Sequence, residues 1–179
     1  LAGAAGLGQL VVTPGKVVVI LGDNRARLYG GMLAISLLGA YAMPAYPGAT
    51  LEELRHFLGE VEIVAAIAED QEQVDKILEL KDAGAEGIDH IIYDEARGLG
   101  FYEVEGLLSW DHLIEVGQHD LNETPGLREE LLSRAKPEDP AIFLHSSGTT
   151  GAPKGIVLSQ KDVLAAARKG HAAGGPAET

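Results

Sequence analysis

The sequence predicts an α/β fold in which helices cover both faces of a layered, mostly parallel sheet. Three observations support this: short apolar runs alternate with amphipathic helical windows, several runs are continuous rather than alternating in polarity, and turn or cap residues separate them. A continuous β-branched run is typical of a strand that is buried on both faces of a parallel sheet. With 179 residues, the chain is long enough to bury a substantial core.

The first half of the chain predicts three strands that alternate with helices. The run VVVIL follows the turn TPGK and is the first buried strand, and Gly39 closes the helix after it. Thr50 and Glu53 stand in capping-box spacing, so the second helix begins there. Asp70 caps the third helix, whose inner face carries an apolar stripe. The predicted strands are 17–21, 40–46 and 63–68, and the predicted helices begin at 26, 51 and 71.

The second half continues the alternation with shorter helices. Ser109 is expected to cap a short helix that buries Trp110, and Thr124 followed by Pro125 to open another. Ser159 begins the last helix, which ends near residue 170. The predicted strands are 90–94, 141–145 and 155–159.

The segment 28–50 carries no charge and is long enough to be tested as a membrane span. Its two prolines and several glycines would break a single spanning helix. We therefore favour a buried helix followed by a strand, with membrane contact as the alternative.

Charge and cysteine content restrict the classes of partner. The net charge of −13 argues against nucleic acid and anionic membrane as ligands, since both require a cationic face. The segment 146–179 is nevertheless net +2, which leaves −15 for residues 1–145. The chain has no cysteine, as suits a reducing cytoplasm, and its six histidines show no metal-ligand spacing.

The stretch FLHSSGTTGAPKGIVLSQ, residues 143–160, is the strongest candidate for a functional site. Gly148 and Gly151 allow positive φ angles, so that successive backbone N–H groups can point into one anion-binding concavity. Lys154 adds a mobile positive charge. Four hydroxyl groups add donors; they belong to Ser146, Ser147, Thr149 and Thr150. This combination of groups suits a polyphosphate.

Two alternatives compete with a phosphate site of this kind. A glycine-rich hairpin turn would need only two to five loop residues and no lysine beside four hydroxyls. The nucleotide P-loop requires Gly before Lys and Ser or Thr after it, whereas Pro153 precedes Lys154 and Gly155 follows it. The segment is therefore a different kind of phosphate loop, and the element after it is a strand.

The stretch SSGTTGAPKGIVLS closely resembles the signature loop of the AMP-forming, or adenylate-forming, synthetases, a superfamily of acyl-CoA synthetases, luciferases and adenylation domains. Residues 147–151 and 153–155 match the family pattern. Ser146 stands where the family has Thr, His145 where it has an aromatic residue, and Gln160 where His is common. The stretches AEDQEQVDKILEL, HIIYDEARGL and LLSWDHLIEVG are similar to the bacterial long-chain fatty-acid–CoA ligases in particular.

The resemblance implies that residues 1–179 are the N-terminal portion of an AMP-binding (adenylation) domain, truncated at both ends, with the phosphate loop at 146–155. It implies an enzyme that uses ATP with Mg²⁺ to adenylate a fatty acid, and CoA as the second substrate. Residues 146–151 and Lys154 would bind the ATP phosphates, and Lys154 would also position pyrophosphate. The ligands of magnesium, adenine and ribose are expected outside this chain, and no metal ligand is assigned within it.

The resemblance also leads us to expect a cytoplasmic enzyme, and it leaves open peripheral contact of the full-length enzyme with the inner membrane. Its oligomeric state is left open. We expect no ligase activity from the 179-residue chain alone. Two alternatives remain: a stand-alone nucleotide- or phosphate-binding module, and part of another carboxylate-activating enzyme of the same superfamily.

Overall fold

The computed structural model describes residues 1–10, 12–59, 61–146 and 154–173. These residues form helices and strands that alternate along most of the chain. In order they are α1 (Ala2–Gln9), β1 (Val17–Leu21), α2 (Ala26–Leu37), β2 (Tyr41–Ala45), α3 (Leu51–Leu58), β3 (Ile63–Ala68), α4 (Gln71–Asp82), β4 (His90–Tyr93), β5 (Leu107–Ser109), α5 (Trp110–Glu123), α6 (Leu127–Arg134), β6 (Pro140–Ser146), β7 (Lys154–Ser159) and α7 (Gln160–Ala173).

The strands form one seven-stranded sheet in the order β5-β4-β3-β1-β2-β6-β7. Each neighbouring pair from β5 to β6 is parallel, and only β7 runs antiparallel to its neighbour. Parallel strands need a crossover connection, which the intervening helices supply. The predicted α/β class with a mostly parallel sheet is therefore confirmed.

The two faces of the sheet belong to separate hydrophobic cores. Along β1, Val18 and Ile20 enter one core, while Val17, Val19 and Leu21 enter the other. The first core contains buried residues of α1, α2, α5 and α6, and the second contains those of α3 and α4. All five residues of β1 are buried because helices cover both faces, which explains why this run shows no polar alternation.

Side-chain caps set the beginnings of three helices as the sequence predicts. Thr50 and Glu53 form the complete capping box of α3, Asp70 accepts from Gln73 N at the start of α4, and Ser109 accepts from His112 N at the start of α5. The predicted starts of these helices are thus confirmed.

The uncharged segment 28–50 folds into most of α2, all of β2 and the turn that follows. The helix, which is buried along one face, and the strand after it confirm the interpretation that the sequence favoured. In the part of the chain that the structure describes, no helix combines the length and apolarity needed to cross a membrane.

The predictions for residues 109–126 need two corrections. The helix after Ser109 is not short, since α5 has 14 residues. Thr124 is the C-cap of α5 rather than an N-cap, and α6 starts after Gly126, whose φ is +85°. The Thr-Pro pair resembles a helix start, but the left-handed conformation of Gly126 supplies the reversal instead. Strand β5 was not predicted.

The capping box of α3 makes a testable contribution that depends on pH. The Thr50 backbone N–H, and then the Thr50 hydroxyl, donate to the Glu53 carboxylate and hold the pKa of Glu53 below its usual value. A lowered pKa stabilises the fold above the ordinary pKa of the group, and this contribution is lost as pH falls through the folded-state pKa. We therefore expect Glu53→Ala to reduce the free energy of unfolding at neutral pH but not in acid.

Denaturant unfolding at a series of pH values measures this difference. Glu52→Ala is the matched control, because Glu52 lies in the same first turn and is exposed but takes no part in the box. A Glu53→Ala deficit that stays constant down to the lowest pH would contradict the assignment.

Candidate functional site

Strands β6 and β7 form an antiparallel hairpin that places the two ends of the candidate phosphate segment side by side. The backbone of Ser146 pairs with that of Lys154, and His145 pairs with Gly155. The predicted site residues Ser147, Gly148, Thr149, Thr150 and Gly151 lie outside the described residues. Seven residues, 147–153, separate the paired ends of the two strands along the sequence, more than the two to five of an ordinary hairpin loop.

The glycine after Lys154 is required by packing near the Ser146–Lys154 end of this hairpin. A Cβ atom at Gly155 would lie 2.5 Å from Cζ of Phe143. Phe143 is a buried residue of the core beneath α3 and α4, so its ring has little room to move. Gly155 thus allows the aromatic ring of one strand to cover the backbone of the other.

His145 lies in β6, directly before the candidate phosphate segment, and contacts two aromatic rings. Its imidazole stacks on Phe57 of α3, with ring centroids 3.9 Å apart and an interplanar angle of 24°. Phe143 meets the same imidazole edge-on at 5.0 Å and 74°. The sequence left the role of this histidine open, and the structure assigns it to a small aromatic cluster.

The carboxyl ends of β1 and β3 form a second place where polar groups collect. These strands are parallel neighbours, yet the helices that follow them, α2 and α4, belong to the cores on opposite faces of the sheet. Such a switch point leaves a crevice above the strand ends, where ligands of open α/β sheets commonly bind.

Glu69 directly follows β3 and is a buried carboxylate, only 6% exposed. It accepts a hydrogen bond from the backbone N–H of Asp23 and pairs with Arg25 at 2.6 Å. Gly22 permits the approach, because its φ is +152° and a Cβ there would lie 2.5 Å from Glu69 Cβ. The carboxylate therefore holds the turn after β1 against the end of β3.

A polar cleft of about 260 Å³ lies beside this pair. Two arginines and four polar or acidic residues line it: Arg25, Asp70, Gln71, Glu72, Glu95 and Arg97. Tyr102 lies in the connector between β4 and β5, and its hydroxyl donates a hydrogen bond to Asp75 of α4 at 2.6 Å. This hydrogen bond raises the pKa of the Tyr102 hydroxyl. The described residues contain no group of three or more histidine or acidic side chains placed to bind a metal ion.

The pairing of Glu69 with Arg25 was not predicted from the sequence. The signal available was a pair of charged segments, GDNR after β1 and ED after β3, each placed directly behind a fully apolar run. Without knowledge that β1 and β3 are neighbours, nothing joins these segments, because β2 separates them along the chain.

The chain matches a known protein family over nearly its whole length. Residues 2–177 match the family model described as AMP-binding enzyme. A long-chain-fatty-acid–CoA ligase of Homo sapiens is 27% identical over 146 residues, which are 82% of this chain and 21% of that protein. A 4-coumarate–CoA ligase of Arabidopsis thaliana is 29% identical over 161 residues, or 90% of this chain and 26% of the relative.

A solved structure shares the fold as well. The anthranilate CoA ligase AuaEII, solved in complex with anthranoyl-AMP, superposes with a TM-score of 0.73 at 25% identity. The match covers 93% of this chain and 29% of the ligase. The chain thus spans between about a fifth and a quarter of the length of the two curated relatives described above.

Proposed function

We propose, from the premise that this chain belongs to the AMP-binding enzyme family, that it supplies the ATP phosphate-binding segment of an AMP-forming long-chain fatty acid–CoA ligase. The observation that carries the proposal is the β6–β7 hairpin. Its paired residues Ser146 and Lys154 bracket a segment rich in glycine and hydroxyl groups at the carboxyl end of a parallel strand. That end of a strand is where open α/β sheets commonly bind ligands.

The proposed reaction has two steps. The carboxylate oxygen of the fatty acid attacks the α-phosphorus of ATP, and pyrophosphate leaves with the electron pair of the broken P–O bond. The thiol of CoA then attacks the acyl carbon of the acyl-adenylate, loses its proton and expels AMP, which leaves a thioester. Magnesium, when bound with ATP, would neutralise part of the phosphate charge.

The contribution of this chain to the first step is electrostatic rather than covalent. Backbone amides and hydroxyls of residues 146–151 would donate hydrogen bonds to the β- and γ-phosphates, and Lys154 would place a positive charge beside them. These groups stabilise the charge that develops on the leaving pyrophosphate, because they are already oriented when the bond breaks. They also orient the α-phosphorus toward the carboxylate.

The choice of a fatty acid is supported by the human ligase, whose name states a long-chain acid. A second candidate substrate class is an aromatic acid. The coumarate ligase has a sequence identity to this chain close to that of the human ligase, and the structural neighbour was solved in complex with anthranoyl-AMP. An assay with both classes of acid decides between them.

Acid-dependent exchange of labelled pyrophosphate into ATP tests the proposal. We expect the complete polypeptide that contains this chain to catalyse exchange with palmitate and not with coumarate or anthranilate. Exchange with an aromatic acid alone would move the assignment to the second substrate class. ATP binding without exchange for any acid would instead favour a nucleotide-binding module with no ligase chemistry.

The isolated 179-residue chain is expected to form no acyl-CoA in the same assay. Acyl-CoA production by purified chain, sensitive to omission of ATP and of CoA, would overturn this expectation.

A further inference from the structure

Three aromatic side chains from two elements meet near the Ser146–Lys154 end of the β6–β7 hairpin. Phe57 belongs to α3. Phe143 and His145 are two positions apart in β6, so their side chains point to the same face of the sheet. His145 lies between the two phenylalanines, stacked on Phe57 and edge-on to Phe143. We call this set the aromatic cluster.

The cluster also reaches β7. Gly155 pairs with His145 across the hairpin, and the Phe143 ring lies over the position that a Gly155 side chain would occupy. The cluster therefore connects one helix and both strands of the hairpin at the level of residues 145 and 155. The candidate phosphate segment begins at Ser146, directly after His145, and Lys154 immediately precedes Gly155.

The two aromatic contacts of His145 are made by the faces and edges of planar rings. A centroid separation of 3.9 Å with nearly parallel rings is a stacked pair, and the edge-on contact of Phe143 is the other favoured aromatic arrangement. Any planar aromatic side chain could make both contacts. The backbone of residue 145 is in turn part of the ladder that ends at the Ser146–Lys154 pair.

We propose that His145 is a positioning residue for the phosphate-binding segment. By stacking on Phe57 it holds the end of β6 against α3, and it thereby sets the place and direction from which the segment leaves the sheet. Loss of the stack should weaken binding of the phosphate tail, while binding of the acid should be unaffected. This inference rests on the proposed function, because it assumes that residues 146–154 bind phosphates.

A double-mutant cycle in the complete polypeptide tests the proposal. We expect His145→Ala and Phe57→Ala each to raise the KM for pyrophosphate by between about twofold and about tenfold, which corresponds to the range for one aromatic pair. The double variant should be no worse than the poorer single variant, because both changes remove the same contact. The KM for the acid should stay within about twofold in all of them.

Two further variants distinguish a positioning effect of the His145 ring from a general loss of folding. His145→Phe should restore the wild-type KM for pyrophosphate, since it keeps the ring. Phe101→Ala is the matched phenylalanine control, because Phe101 is 98% exposed and lies in the connector between β4 and β5. The proposal is overturned if the two effects multiply in the double variant, if His145→Phe is as impaired as His145→Ala, or if the KM for the acid rises equally.

Amide hydrogen exchange provides a readout that does not require activity. We expect β6 and β7 to exchange faster in His145→Ala and in Phe57→Ala, but not in Phe101→Ala. Absence of pyrophosphate exchange in the wild-type protein would refute the proposed function, whereas unchanged protection of β6 and β7 in both alanine variants would refute the positioning role itself.

Discussion

Replacing Lys154 by alanine should lower acid-dependent pyrophosphate exchange by about 10²–10³-fold, the cost typical of removing one preoriented donor from a site of developing negative charge. Lys154 is the first residue of β7 and pairs through its backbone with Ser146, so the hairpin fixes its distance from the start of the phosphate segment. The substitution removes the positive charge that we propose to lie beside the leaving pyrophosphate, and it keeps the backbone pairing. The loss should therefore appear in exchange rate and not in folding stability.

Lys161→Ala is the matched control for this experiment. Lys161 is exposed in the first turn of α7, seven residues further along, and its backbone N–H donates to Pro137 O, a contact that alanine retains. Lys154→Arg tests the geometry of the charge, because arginine presents a planar fork where lysine presents a compact ammonium group. Exchange by Lys154→Ala at the wild-type rate would show that the candidate segment does not bind the triphosphate through this residue.

The core elements of the sheet could be predicted because each is determined by local signals. Strand β3 matches its prediction residue for residue, since six apolar residues are bounded by Glu62 and Glu69. Helices α3 and α4 begin where Thr50 and Asp70 cap them. In both cases the side chains that decide the structure lie within a few residues of the element.

Elements that depend on distant contacts could not be predicted in the same way. Strand β5 has three residues and exists as a strand because Ile91, Ile92 and Tyr93 pair with it. Helix α1 is rich in glycine and alanine with no acidic residue in its first turn, and it is held by packing on α5 and α2. The sequence of either segment alone resembles a loop.

The candidate site likewise combines features that depend on local sequence with features that depend on distant contacts. The glycine, hydroxyl and lysine composition of residues 146–155 is a local pattern, so sequence alone supports a phosphate-binding hypothesis. The stack of Phe57 on His145 joins residues 88 positions apart, and the Glu69–Arg25 pair joins neighbouring strands that are not consecutive in the chain. Only the order of strands brings these groups together.

The close crossing of α1 and α5 leads to the largest effect that we expect on stability. Gly117 of α5 is buried against α1, where a Cβ atom would overlap the carbonyl oxygen of Ala2 and lie 2.6 Å from Gly6 N. Gly6 is constrained reciprocally, because a Cβ there would overlap the carbonyl oxygen of Leu113. The obstacle on both sides is backbone, which cannot rotate away, so Gly117→Ala must push the two helices apart.

We expect Gly117→Ala to lower the free energy of unfolding by roughly 1–3 kcal/mol, the usual cost of overpacking, even though alanine is the better helix former. Gly170→Ala is the matched control, since Gly170 lies within α7 and a Cβ there would meet no atom within 4 Å. That variant should be more stable than wild type by up to about 1 kcal/mol, because only helix propensity changes. Opposite signs in denaturant unfolding would establish that the glycine at 117 serves helix approach. Stabilisation by both substitutions would mean that α1 does not pack on α5 in solution.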